Sequence, residues 1–204
     1  MNATARRRLE RKEEILQAYW RVVHATPKET TLRAVAAEAG MTPGNVLYYF
    51  ESMRELQMEA VAEALEQYGA RRQSILNRPE SAGQRIYAMI DAGVPDEISV
   101  RRRHLYENLG ALAEHPDFKP AHRASTDRQI VLYQRLIQIG SDSGEFTPAL
   151  PALVIARTIV ALEQAFDLYL LLGEQALRKV SRADVRSYAE LVLGIGDGTP
   201  RVPG

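Results

Sequence analysis

The sequence of 204 residues predicts an all-α fold. Apolar residues recur at three- and four-residue spacing nearly throughout, and extended β-branched alternation is absent. Pro79, Pro95 and Pro116 fall between the periodic stretches. With 46% hydrophobic and 25% charged residues, the chain has the balance of a globular protein with a real core.

The elements follow in order. A first helix is expected from Arg6 to Ala25, with Ile15, Ala18, Tyr19 and Val22 along one stripe. Thr26-Pro27 ends it, because proline disfavours helix in the residue before it. A short helix over 32–39 stops at Gly40, the residue best able to take a left-handed C-cap. The next starts after Thr42, a good N-cap, with Pro43 at the first helical position. Ser52 opens a longer helix with Leu56, Ala60, Val61, Ala64 and Tyr68 at helical spacing. Further helices are expected at 82–93, 97–114, 118–140, 149–173 and 181–194, separated by Pro79, Pro95, Pro116 and the turn Asp142-Ser143-Gly144. From Gly194 the chain is rich in Gly and Pro, and 197–204 reads as a disordered tail.

Several function classes lose their support. No run of about 18 uncharged apolar residues appears, so no membrane span is expected. The basic N-terminus lacks the apolar stretch of a secretory signal. Without cysteine there is no disulfide, thiolate nucleophile or zinc-thiolate site, which fits a cytoplasmic protein. None of His24, His104, His115 and His122 forms H-E-x-x-H, and the glycine-rich phosphate loops and G-x-S-x-G are missing. No enzyme, cofactor or metal site is expected. Acidic and basic residues balance at 26 each. Their distribution is uneven, however: Arg6, Arg7, Arg8, Arg11 and Lys12 face only Glu10 over the first twelve residues. Such a segment is compatible either with nucleic-acid contact or with a frayed, solvated terminus.

Residues 31–50, TLRAVAAEAGMTPGNVLYYF, place two short helices around a turn at Gly40. Ala36 is small where a second helix would cross above it, and Val46 would fill the space between the two. A helix-turn-helix needs this pattern, although a plain αα-hairpin also accepts it.

The flanks narrow the choice. Residues 13–56 resemble the N-terminal domain of the TetR (tetracycline-repressor-like) family. Ile15-Leu16-Gln17-Ala18, with Tyr19 last, is similar to the family's I-L-x-A-A. Thr31 through Gly40 is similar to T-x-x-x-I-A-x-x-A-G. Thr42-Pro43-Gly44-Asn45-Val46-Leu47-Tyr48-Tyr49-Phe50, then Leu56, is similar to S-x-G-x-L-Y-x-H-F-x-x-K-x-x-L. Two positions depart: Leu47 stands at the usual phosphate-binding tyrosine, followed by Tyr48, and Met53 stands at the usual lysine, followed by Arg54.

The resemblance implies an N-terminal three-helix DNA-binding domain at 1–56 and a larger helical ligand-binding and dimerisation domain at 57–196. It implies a homodimer on double-stranded palindromic operator DNA, acting as a repressor under a small-molecule effector. Thr42 would cap the recognition helix and meet a phosphate. Gly44 would allow close approach, Asn45 would pair with a base edge, and Pro43 would touch a thymine methyl. Tyr48 and Tyr49 would reach the backbone unless one packs inward, Leu47 lies on the same face, and Arg33 and Arg54 would supply charge. The alternative is a helical small-molecule sensor or carrier with weakened or lost DNA binding, which the two departures keep open.

In the C-terminal part, residues 149–173 leave hardly any polar face, so cover on two sides is expected. The resemblance assigns dimer contacts to the last two helices. Ile155, Ile159, Leu162 and Phe166 on one, with Val185, Tyr188 and Val192 on the other, are the candidates. Pocket candidates are Tyr68, Tyr87 and Met89, then His104, Tyr106 and Asn108, then Tyr133 and Gln134, and finally Glu163, Gln164, Phe166 and Asp167. Glu163 and Asp167, one turn apart, read either as facing a cationic ligand or as a polar edge of the dimer seam. The run Arg101-Arg102-Arg103 reads as a solvated face, with Arg103 pairing with Glu107.

Overall fold

The computed structural model describes residues 2–173 and 175–195. Among these residues every regular element is helical. In order they are α1 (Ala3–Ala25), a 3-10 turn (Pro27–Glu29), α2 (Leu32–Glu38), α3 (Pro43–Leu47), α4 (Met53–Leu76), α5 (Ala82–Gly93), α6 (Val100–Glu107), α7 (Leu109–Ala113), α8 (Phe118–Asp142), α9 (Ala152–Leu172) and α10 (Gln175–Leu193). Among the described residues no helix is long and apolar enough to cross a membrane. The expected tail, 197–204, lies outside them.

Two compact units form: the chain up to Leu65 with Ser99–His122, and Glu66–Ile98 with the chain from Arg123 onward. The first therefore includes a segment from well beyond residue 56. Its core joins Ile15, Ala18, Tyr19 and Val22 of α1 to Val35 and Ala36 of α2, Val46 of α3, and Phe50, Leu56 and Ala60. Ala36 and Val46 are fully buried, so the small residue and the filler do what the turn requires. Gly40 takes φ +66, a left-handed value that L side chains rarely adopt, and Met41 N–H donates to Ala36 O at 2.8 Å to close the turn.

Helix starts follow side-chain caps. Asn2 accepts from Ala5 N–H, Thr31 from Ala34, Thr42 from Asn45, Ser52 from Glu55, Ser81 from Gln84 and Ser99 from Arg102. The Asn2 cap starts α1 at Ala3 instead of Arg6, so the basic stretch is helical and not a frayed arm. The helix expected over 97–114 divides at Asn108, whose amide Nδ2 donates to His104 O at 2.9 Å and competes with the backbone ladder. Helix α9 begins after Pro151 rather than at 149. Thr147 and Ala149 instead donate their N–H groups to Leu193 O and Val192 O.

In the second unit, α5, α8, α9 and α10 enclose one core. Ile86, Met89, Ile90, Leu136, Ile137, Ile155, Ile159, Val185 and Ala189 are among its fully buried members.

Candidate nucleic-acid interface

Two short helices of the first unit present an outward polar face. Thr42 Oγ1 accepts from Asn45 N–H at 3.2 Å, and Pro43 occupies the first turn of α3. Thr42, Pro43, Gly44 and Asn45 are all exposed, as is Arg33 on α2. Below them Val46 and Phe50 anchor α3 to the core, so the face is held by packing that does not use the polar side chains. The arrangement can offer an amide, a hydroxyl and a guanidinium to base edges and phosphates, with Gly44 leaving room for close approach.

Tyr48 is 69% exposed, whereas Tyr49 is half-buried and packs on the core, which settles which of the two turns inward. Their rings meet edge to face with centroids 5.1 Å apart. Leu47 is 43% exposed, an apolar group on the polar face. Met53 packs against the core. Arg54 turns toward α7, with Nη2 3.4 Å from Ala111 O and 3.6 Å from Glu114 Oε2.

A cleft of ≈ 310 Å³ lies beside this face, lined by Arg8 and Lys12 of α1 and by Leu47, Tyr48, Tyr49, Phe50, Glu51, Glu55 and Glu59. The Arg8 guanidinium sits 5.5 Å from the Tyr48 ring centroid and 6.0 Å from that of Tyr49. Lys12 Nζ lies 4.7 Å from the Phe50 centroid and 2.5 Å from Glu59 Oε1. Sequence reasoning singled out neither arrangement, because each joins α1 to residues far along the chain.

The first unit also holds three of the pocket candidates. His104 Nε2 is 2.6 Å from Tyr19 Oη, and Asn108 Nδ2 is 3.3 Å from His104 Nδ1. Burial lowers the His104 pKa below its ordinary value and raises that of Tyr19. Tyr106 is half-buried on the same helix. Arg103 lies 3.9 Å from Glu107, the pairing expected of the arginine run.

The second unit brings Tyr68, Tyr133 and Glu163 together around Arg72, which the sequence did not mark. Arg72 is 0% exposed and Glu163 3%. Arg72 Nη2 donates to Glu163 Oε2 at 2.6 Å and to Tyr68 Oη at 3.0 Å, and Tyr133 Oη donates to Glu163 Oε1 at 2.5 Å. Burial works against the guanidinium charge, but the Glu163 carboxylate and the neighbouring tyrosines more than offset it and hold the pKa above the ordinary arginine range. Burial, then Glu163, pushes the Tyr133 hydroxyl well up. Gly93 of α5 lets backbone pass the pair, since a Cβ there would overlap the Glu163 carboxylate and Arg72.

Glu163 and Asp167 both lie inward. Glu163 already neutralises Arg72, and Asp167 is only 7% exposed, so neither forms a surface edge. Other candidates lie elsewhere. Tyr87 donates to Glu190 at 2.9 Å, Met89 is core, Gln164 donates to Thr126 at 3.4 Å, Gln134 is half-buried, and Phe166 packs against Tyr169. Ile155, Ile159, Val185 and Val192 are buried in the chain's own core, and Leu162, Phe166 and Tyr188 pack partly buried against it. Among the described residues, the large apolar side chains that α9 and α10 expose are Leu153, Val154, Leu168, Tyr169, Leu172 and Leu191.

Two capped helices braced from beneath, with small and polar residues outward, define a helix-turn-helix. Residues 26–61 match the family model described as bacterial regulatory proteins, tetR family. The fold recurs in a TetR transcription regulator from Haloarcula marismortui, 19% identical with a TM-score of 0.80 over 90% of this chain and 98% of that one. It recurs in a transcriptional regulator from Saccharomonospora viridis in complex with choline, 18% identical, TM-score 0.78, over 90% and 97% of the two chains. Reduced NemR from E. coli is 15% identical, TM-score 0.75, over 92% and 100%. No curated protein sequence matches the chain.

Proposed function

We propose that the protein is a cytoplasmic, effector-responsive repressor that binds a palindromic operator as a homodimer. The observation that carries this reading is the exposed face Thr42–Asn45, capped at 3.2 Å and backed by Val46 and Phe50. A reader built on a packed brace docks without first ordering its own backbone. Repression is the simpler sign, because occupancy of a promoter blocks polymerase with no further contact.

The exposed apolar residues of α9 and α10 support association with a second copy, which would set two heads on half-sites about one helical turn apart. For the effector, the polar interior of the second unit is the candidate site. Arg72 Nε and Nη1 are buried without a hydrogen-bond partner, and such donors favour an acceptor group on an incoming ligand. The choline complex of the Saccharomonospora viridis regulator supports small-molecule binding in this fold. A ligand favouring the state with separated heads would lower operator affinity by its differential affinity for that state.

Selection of duplexes from a random pool, followed by anisotropy titration of the winner at several salt concentrations, tests this reading. A palindrome with half-sites about one turn apart and a salt-dependent affinity are expected. If nothing enriches and low salt gives no binding, the chain is instead a sensor or carrier, the reading that Leu47 at the usual tyrosine position keeps open.

A further inference from the structure

The basic stretch of α1 is not uniform. Arg6 pairs with Glu10, Arg11 with Glu14, and Lys12 with Glu59. Arg7 and Arg8 have no carboxylate partner among the described residues, and only Arg8 is seated on aromatic rings. Those rings, Tyr48 and Tyr49, directly follow Leu47 at the end of α3. A guanidinium on a ring face is held in place yet keeps its charge and its donors, unlike one bound to a carboxylate.

We propose that Arg8, seated on Tyr48 and Tyr49, is a DNA-phosphate contact that stands in for the donors absent at Leu47 and Met53. Helix α1 supplies the charge and the α3–α4 junction aims it. The phosphate would lie on the outer side of the guanidinium. Deeper in the cleft, Glu51, Glu55 and Glu59 oppose an anion, although Lys12 engages Glu59 and His115 lies 3.2 Å from Glu55. The aromatic seat restrains a long side chain before docking, so less rotamer freedom is lost when the complex forms. This inference rests on the reading of the chain as an operator binder.

The test uses the full-length protein and one selected operator duplex, titrated by anisotropy across a salt series. Arg8→Ala should weaken binding about tenfold at low salt. It should also make the slope of log K against log salt shallower by about 0.9 for each phosphate left unneutralised, about 1.8 for the two copies in a dimer. Arg8→Lys should keep most of the slope but lose part of the affinity. Tyr48→Phe keeps the ring beneath Arg8 and should retain the salt slope better than Tyr48→Ala, which removes the seat. Arg7→Ala removes the same charge one residue away and should change the slope by less than half as much. An unchanged slope in Arg8→Ala, or equal losses in Arg7→Ala and Arg8→Ala, overturns the inference while leaving the operator-binding reading intact. If the unmodified chain binds no duplex, that reading falls and this one with it.

Discussion

The two units of the chain place their polar residues in opposite ways. In the first, the groups assigned to recognition stand on an apolar brace and face outward, and the core beneath them is made of Ile, Val, Ala and aromatic side chains. In the second, charge has gone inward, to Arg72, Glu163 and Asp167 among Ile, Leu and Val. A surface reader tolerates substitution at its working residues, because exposed side chains contribute little to folding. An interior charge cluster does not. A single truncation there leaves its partner buried and unpaired.

The sharpest way to break this contrast is at the ion pair. Glu163→Ala should destabilise the chain by about 3–5 kcal/mol in urea unfolding, while Arg72→Met combined with Glu163→Leu should recover most of that loss. If the single variant costs less than about 1 kcal/mol, the pair is not integral to the core and the contrast fails. Next, Asn45→Ala should leave the unfolding midpoint unchanged but reduce discrimination at one operator base pair by about 1–3 kcal/mol, read from competition with mismatched duplexes. Loss of stability with no loss of discrimination would assign Asn45 to the fold instead.

Thr42→Ala should do some of both. It removes the cap of α3, worth about 1 kcal/mol of stability, and also weakens operator binding, whereas Thr42→Ser should restore each. The smallest expected effect is on pH. The folded-state pKa of His104 is depressed by burial, so its neutral form is favoured and its contribution is complete above the ordinary value of 6.5. Below 6.5 the unfolded chain takes up a proton that the folded chain resists, and stability falls with pH. His122, also depressed by burial, acts in the same direction. The melting temperature should therefore drop on acidification from pH about 7.5 to about 5.5, and less so in His104→Gln. An identical drop in that variant would remove His104 from the account.

The head was legible because its signals are local. Thr31, Gly40, Thr42 and Pro43 each fix backbone within a few residues of themselves, and α2 ends within a residue of its expected bound while α3 starts at Pro43 as expected. Breaks set by side-chain competition were not legible. Nothing in the pattern distinguished Asn108 as the residue that divides α6 from α7, since an asparagine on a helix is as often solvated. The second unit's polar core was harder still. Arg72 follows Arg71, and two adjacent arginines on a helix read as a solvated face; only the approach of Glu163, 91 positions away, makes one of them interior. The available signal was a carboxylate on an otherwise apolar helix, which calls for a buried cation without saying where it is. The inward placement of Ile155 and Ile159 was not legible for a related reason: α9 is apolar nearly all round, so periodicity alone does not tell its inner side from its outer one.

The chain's single tryptophan lies in the first unit. Trp20 is buried edge to face against both Tyr19 and His104, with ring centroids 5.3 and 5.7 Å away, and the Arg101 guanidinium stands 5.1 Å from its ring. Its emission is thus an intrinsic optical label for one half of the molecule. Far-ultraviolet dichroism, by contrast, registers the helices of both halves. Where the two signals part company during denaturation, the halves melt separately; where they coincide, the chain unfolds as one. With His104 in ring contact, the same emission also registers the charge of that imidazole as acid is added.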